Sequence, residues 1–501
     1  MFGWGYDGMK AVLQELASKG AIYGLGASFN SLVGFLLIPF FTKQLTATEY
    51  GRYAIAEMVL NLSLALLGLG MNVAILARYP SIPSEHRDRF FGSILSFMLL
   101  WTLFFEMLFL ALAWLFGHGV VPVLNMRVFT LITAISALET VWLLFATLYR
   151  AQGAAWQYIG ASTLQAGVGL VATVWLITRM GYRDEGILEG RLLGDILLFG
   201  AVLVPQFRRY HLSTRLGPWR DLLRIGLPLI PATFSSMWVL MSPRYFIQWY
   251  GTVADVGVFA MSSRIAGITQ LLYVQPFAMA WMVSLFTIFK RTDARQIYAR
   301  VLTYYILLGV TIALMLGLVA EAVIPLLAHQ RFPLSPSIVL IVALAQVASG
   351  LMYPLNIGPY VLEQTGKQIP VFIASGALIT IVGIVLVQWR GPVGGALALL
   401  AVYIAQALLL AIVSQKLYPI RVEWTRLVQV VCALTTAFFF TRLLGQGASH
   451  SLLALLLPPL FVGALVLTLI VLRFPDSAEL SSLRRATAWL AGGRTTSDPR
   501  V

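Results

Sequence analysis

The chain has 501 residues, of which 59% are apolar and only 11% charged, with a mean hydropathy of +0.83. Soluble chains carry about 25% charged and about 45–50% apolar residues. This composition therefore excludes an ordinary cytosolic enzyme and a disordered chain, and it requires a bilayer as solvent. The 35 basic against 21 acidic residues, formally +14, are read as the charge bias of cytoplasmic loops rather than as a nucleic-acid surface.

Apolar runs predict an all-α polytopic fold of about fourteen transmembrane helices, at about 20 residues per span. The runs are continuous and not alternating, which excludes a barrel. The opening MFGWGYDGMK lacks a signal-peptide pattern, so the first run, 21–41, is expected to remain in the mature protein. The second run, 53–77, follows Thr46-Ala-Thr-Glu49, a capping box that starts a helix. Runs at 91–116, 128–148, 158–178 and 187–204 complete a first set of six. The connection that follows carries Arg208, Arg209, Arg215, Arg220 and Arg224. The seventh run, 225–249, opens on Gly226-Leu227-Pro228 and Pro231, which break or bend a helix. The eighth, 256–288, follows Thr252-Val-Ala-Asp255, a second capping box. Lys290, Arg291, Arg295 and Arg300 come next. Runs at 298–320, 336–358, 369–389 and 393–415 complete a second set of six. Two further runs, 426–444 and 451–473, precede a polar tail. The expected segments are 1–205, 206–415, 416–475 and 476–501. The two arginine-rich connections fall on one side, which places both termini in the cytoplasm.

The motif around Glu49, Gly51, Tyr53 and Ala54 recurs as Asp255, Gly257, Phe259 and Ala260, always 206 positions later. In each copy the box starts the helix at the outer surface, the glycine permits a close helix contact, and the aromatic anchors at the interface. Leu37-Ile38-Pro39 pairs with Leu229-Ile230-Pro231. Gln152-Gly153 and Ala161-Ser162 pair with Thr365-Gly366 and Ala374-Ser375. Six spans separate the copies, so both point the same way. This implies two parallel-repeat lobes with a site between them.

A charge at mid-membrane costs at least about 2.5 kcal/mol, so each one is a functional candidate. Glu57, Glu106, Glu139 and Asp195 all lie in the first set of spans, and Arg264 and Arg244 in the second. Arg264 is the leading anion candidate, since guanidinium stays charged and grips phosphate bidentately. The run continues to Gln270 and Gln275, and Gln275 shares the Arg264 face at i+11. Glu57, with Asn61 one turn on, is either a coupling group or an ion-pair partner of Arg264. Glu106 and Glu139 either pair with a hydroxyl, stay protonated or line the cavity; Asp195 either touches neighbouring backbone or serves coupling. Gly226, Pro228 and Pro231 are the hinge candidates. No metal-ligand pattern exists among the five histidines and single Cys432. Gly366-Lys367 is followed by Gln368, so no phosphate-binding loop supplies a nucleotide engine.

FLLIPFFTKQLTATEYGRYAIAEMV, LGLGMNVAILAR, GLPLIPATFSS, PRYFI, VGVFAMSSRI, YRAQG and EQTGK together resemble the polysaccharide transporter family. That family includes the O-antigen and lipid-linked oligosaccharide flippases of the multidrug/oligosaccharidyl-lipid/polysaccharide exporter superfamily. The resemblance implies two six-helix lobes around a cationic cavity, plus two extra helices, in the cytoplasmic membrane. It implies alternating access that turns a lipid-pyrophosphate-linked glycan outward for lipopolysaccharide or other surface polysaccharide. Membrane lipids, a glycan polymerase and glycosyltransferases are the expected partners. No cofactor is expected beyond a coupling H+ or Na+. One departure is Pro243 before Arg244, where family members often carry an acid that could pair locally. Two other readings stay open: a cation-coupled multidrug antiporter of the same superfamily, and a membrane polymerase or glycosyltransferase.

Overall fold

The computed structural model describes residues 37–207, 210, 217–327, 332–444 and 456–474. Most of the first run, the tail from 476, and Arg208, Arg209 and Arg215 lie outside them. Among the described residues all regular structure is helical. The helices are α1 (Ile38–Gln44), α2 (Ala47–Leu67), α3 (Met71–Arg78), α4 (Arg87–Val120), α5 (Met126–Gln152), α6 (Ala155–Arg179), α7 (Glu185–Leu198) and α8 (Gly217–Gly226). They continue as α9 (Ile230–Tyr250), α10 (Val253–Ala266), α11 (Gln275–Phe289), α12 (Ala294–Leu327), α13 (Pro336–Gly350), α14 (Ile369–Leu417), α15 (Trp424–Leu444) and α16 (Leu457–Val471).

Eight helical stretches are long and apolar enough to cross a membrane, one of them running from α8 through α9 and one from α13 to Leu355, or nine if α2 and α3, bent by 41°, form one span. The expected fourteen is not confirmed, for identifiable reasons. The run 187–204 is interrupted by a π-helical stretch, Phe199–Leu203, and the run 256–288 by another, Gln270–Val274. The last helix has only 15 residues. In the opposite sense, the 49 residues of α14 would extend about 74 Å at 1.5 Å per residue. That exceeds two bilayer cores of about 30 Å each. Its backbone leaves helical space at Gly391 (φ 56°, ψ −133°), next to Pro392, so α14 contains both predicted runs, 369–389 and 393–415.

Both capping boxes form. Thr46 Oγ1 accepts from Glu49 N at 3.2 Å while Thr46 N donates to Glu49 Oε2 at 2.8 Å. Thr252 and Asp255 repeat this at 3.1 and 3.0 Å. Each box satisfies amides that a helix start leaves open, a contribution of about 1 kcal/mol. The two helices so started then cross each other. A Cβ added to Gly51 would lie 1.9 Å from the carbonyl oxygen of Val253, and one added to Gly257 would lie 1.9 Å from that of Ala47. The contact is reciprocal: each glycine receives the first residue of the other helix, as in a two-fold interface. Lipid gives apolar helices no hydrophobic reason to associate, so backbone approach through glycine is what holds this crossing.

The match between Leu37-Ile38-Pro39 and Leu229-Ile230-Pro231 does not survive. Pro39 lies seven residues before the Thr46 cap, whereas Pro231 lies 21 residues before the Thr252 cap. The prolines therefore occupy different heights.

A continuous apolar core joins Tyr50 of α2, Val239 of α9, Phe259 of α10, Val342 of α13 and Leu399 of α14. A second joins Ile75 of α3, Phe91 of α4, Phe145 of α5 and Leu222 of α8. A third packs α15 and α16 on α12 through Leu318, Ala433 and Phe461, and Arg442 of α15 pairs with Glu321 of α12 at 2.6 Å. Outward faces are apolar, as lipid requires: Leu103, Phe104 and Met107 of α4 are exposed, and so is Cys432.

Candidate functional site

The reciprocal crossing of α2 and α10 brings their next turns together, with α9 and α13 alongside. Between them lies a cavity of about 250 Å³. Its polar walls are Tyr50 and Glu57 of α2, Arg244 of α9, Ser263 and Arg264 of α10, and Gln346 of α13. Arg244 Nη1 donates to Glu57 Oε2 at 2.9 Å, and Tyr53 donates its hydroxyl to Glu57 Oε1 at 3.3 Å. The pair is half-buried, with side chains 14% and 25% exposed. Arg244 thus finds its acid on another helix, which answers the substitution of Pro243 at the neighbouring position. Arg264 has no carboxylate within salt-bridge distance among the described residues. Its Nη1 donates to Tyr50 Oη at 3.1 Å, and its guanidinium stands 6.0 Å from the Phe41 ring. The expected pairing of Glu57 with Arg264 is therefore corrected to Glu57 with Arg244.

Two guanidiniums face one carboxylate, so the wall carries one net positive charge. The Ser263 hydroxyl is buried with no partner among the described residues. A donor set of this kind suits an anion with several oxygens, such as a phosphate. A second cavity of about 280 Å³ lies beside Arg52, Asn125, Asp184 and Glu185. Its charges are already matched: Arg52 pairs with Asp184 at 2.8 Å, and Arg127 with Glu185 at 3.1 Å. It has no comparable surplus.

The remaining sequence candidates lie elsewhere. Asn61 donates to the backbone carbonyl of Glu57 at 2.7 Å and does not line the cavity. Gln270 and Gln275 do not line it either: Gln270, six residues from Arg264, lies on another face, and the π-helical stretch Gln270–Val274 shifts Gln275 out of register. Glu139 meets an arginine and not a hydroxyl: Arg191 of α7 grips both its oxygens, at 2.6 and 2.8 Å. Asp195, only 2% exposed, accepts from Gln165 Nε2 at 2.5 Å, so its contact is a side chain and not backbone. Glu106, 5% exposed, accepts from Ser136 Oγ at 2.5 Å. Asp195 Oδ2 and Glu106 Oε2 have no partner among the described residues. Gly226, Pro228 and Pro231 mark the passage from α8 through a 3-10 turn, Leu227–Leu229, into α9. Here α8 leans on the first set of helices, with Trp219 stacked on Phe97 at 4.4 Å, while Trp238 of α9 donates to Thr380 of α14 at 2.8 Å. A Cβ on Gly226 would lie 2.2 Å from the Leu69 carbonyl oxygen.

Sequence reasoning missed Tyr50, Tyr53, Gln165 and Arg191. Arg191 had a signal: it stands one helical turn before Asp195 on the same face. Tyr53, two residues after Gly51, read only as an interface anchor, and Tyr50 carried no signal of its own. Among the described residues no group of His, Cys, Asp and Glu is placed to hold a metal ion.

A family model described as "Polysaccharide biosynthesis protein" matches residues 16–282, more than half of the chain. No curated protein sequence matches. The fold is similar to a solved structure of the lipid II flippase MurJ in an inward closed conformation, with a TM-score of 0.71 and 13% identity over 90% of this chain and 99% of that one. It is also similar to an inward-facing multidrug resistance MATE family transporter of the MOP superfamily, with a TM-score of 0.53 and 16% identity over 81% and 93% of the two chains. The Vibrio cholerae MATE transporter VcmN gives a TM-score of 0.55 at 14% identity, over 81% and 97%. At such identities the likeness is one of fold, and the fold is that of polytopic transporters and a flippase. The chain belongs to the polysaccharide biosynthesis protein family, as a multi-pass membrane protein of the MurJ- and MATE-like fold.

Proposed function

We propose that the protein is a secondary transporter that turns a lipid-(pyro)phosphate-linked oligosaccharide across the cytoplasmic membrane, for cell-surface polysaccharide synthesis. The observation that carries this reading is the net positive wall of the cavity, with Arg244 and Arg264 on helices of the second set facing α2 of the first. An anionic headgroup needs a fixed counter-charge at mid-membrane, and the two guanidiniums supply it. Residues 1–205 and 206–415 act as the two lobes, with 416–475 appended and both termini cytoplasmic. Alternating access rocks the lobes about the reciprocal crossing of α2 and α10. Gly226, Pro228 and Pro231 flex where α8, held by one set, meets α9, held by the other. Lipid-linked glycan and membrane lipids are the partners, with glycosyltransferases supplying the cargo on the inner leaflet.

A cation-coupled multidrug antiporter is the second reading, favoured by the incompletely bonded acids Asp195 and Glu106. The positive wall argues against a cationic cargo. Deleting the gene tests the two against each other. The flippase reading expects lipid-linked glycan to accumulate, intact and accessible only from the cytoplasm. Normal surface glycan together with increased sensitivity to cationic dyes would favour the antiporter.

A further inference from the structure

We propose that the cavity beside Arg52, Asn125, Asp184 and Glu185 is a saccharide subsite, which holds one sugar ring of the cargo glycan at the outer end of the first set of helices. The proposal rests on the reading of the protein as a flippase with both termini cytoplasmic, which makes the capped end of α2 the outer one. The cavity, of about 280 Å³, lies between the first turns of α2 and α7 and the connection that leads into α5. It meets water at Arg52, whose side chain is 39% exposed, and at the exposed Asn125. Pockets for drug-sized ligands measure about 300–1,000 Å³, so this one takes a smaller group.

The charges select the ligand. Arg52 pairs with Asp184, while Arg127 at the rim pairs with Glu185 and Glu189. A phosphate would meet carboxylates here, and a free cation would find each of them already held by a guanidinium. An acyl tail would strip water from these charges and return no hydrogen bond. A neutral, hydroxyl-rich ring fits, because each polar group is fixed by one partner and keeps capacity for another. Arg52 donates through Nε and Nη2 to the two oxygens of Asp184, at 2.8 and 3.0 Å, which leaves Nη1 for a ligand. Each carboxylate oxygen has a second lone pair to offer. Asn125 accepts from Val128 N at 2.9 Å and donates one amide hydrogen to Glu185 Oε1 at 3.2 Å, which leaves the other hydrogen. Adjacent sugar hydroxyls both donate and accept, so one pair of them can bridge Asp184 and Arg52, and another Glu185 and Asn125. The side chains are already in place, so binding orders few of them. Val123, Leu124 and Leu188 supply an apolar wall for the C–H face of the ring. Tyr53 joins this cavity to the anion site. It lines the saccharide cavity, and its hydroxyl donates at 3.3 Å to Glu57, the partner of Arg244. Tyr53 and Glu57 are one turn apart, about 6 Å along α2, a gap that a diphosphate and its attached sugars span.

The test uses the full chain, purified in detergent, and saturation-transfer NMR with the methyl glycosides of glucose, galactose, mannose, rhamnose and N-acetylglucosamine as probes. Transfer from the wild type to at least one glycoside is expected. Val123→Trp, which fills the cavity from its connecting loop, should abolish it. Asn125→Ser keeps the helix cap but removes the amide donor, and should weaken it about fivefold. No transfer from the wild type to any of the five overturns the proposal, and so does undiminished transfer in both variants. If Val123→Trp does not fold, Asn125→Ser decides. The same variants, placed in liposomes with a polyprenyl-diphosphate oligosaccharide, separate this proposal from the reading beneath it. Flipping by Val123→Trp about fivefold slower than by the wild type is expected. Equal rates would overturn the saccharide subsite and leave the flippase standing. No flipping by the wild type would overturn the flippase reading, and the assignment of this cavity to its cargo with it.

Discussion

Arg244 and Arg264 lie in one cavity but are held differently, and the difference predicts different mutants. Arg244 neutralises Glu57, so Arg244→Ala leaves a half-buried carboxylate without its partner. The loss is expected to be about 3 kcal/mol, at the lower end for a broken buried pair because both side chains keep some access to water. A thermal melt in detergent should show Arg244→Ala well below wild type, with Glu57→Gln added to it recovering much of the loss. If the double variant melts as low as the single one, the pair is not what Arg244 supports. Arg264, held by the Tyr50 hydroxyl and the face of Phe41, is less built into the fold. At this scale the charged residues were visible in the sequence as exceptions in apolar runs, but their partners were not. Pairing across 187 positions, as between Glu57 and Arg244, depends on how helices cross, and periodicity along one helix carries no information about that.

The crossing of α2 and α10 is where the sequence spoke most clearly about elements. The capping box fixes each helix start by local chemistry. The glycine at the same offset in both copies is demanded by the partner helix, so local and non-local requirements wrote the same pattern twice. Gly51→Ala or Gly257→Ala must push the helices apart, since each new Cβ would meet a backbone carbonyl oxygen at 1.9 Å. A carbonyl cannot step aside as a flexible side chain can. Each variant is expected to lose at least about 2 kcal/mol and most transport, whereas Gly463→Ala, where the added Cβ meets nothing within 4 Å, should behave as wild type. Wild-type transport and melting in both crossing variants would show that the contact is dispensable. The proline pair failed as a repeat signal because a three-residue match carries no height information. The Gln275 stripe failed because a π-helical stretch advances the helix by a residue that apolar periodicity does not reveal.

For the whole molecule, composition alone established a membrane protein, because 59% apolar residues cannot be buried against one another in water. The helical class followed from continuous runs. The number of spans did not. The break of α14 at Gly391 was visible, because Arg390-Gly391-Pro392 separates the runs 369–389 and 393–415, but hydropathy does not register that α2 bends into α3, since the bend leaves the local apolar content unchanged. The repeat led to the expectation of a site between the two sets of helices, and a cavity is present where α2 meets α9 and α10. The central claim is that this cavity carries a lipid-linked anionic glycan from one leaflet to the other. The direct measurement uses liposomes containing the purified protein and a polyprenyl-diphosphate oligosaccharide in both leaflets, with a glycosidase added outside. The account predicts that inner-leaflet glycan becomes cleavable with wild-type protein, partly so with Arg264→Lys, and not at all with Arg264→Ala or in protein-free liposomes. Equal cleavage with wild type, with Arg264→Ala and without protein would contradict it.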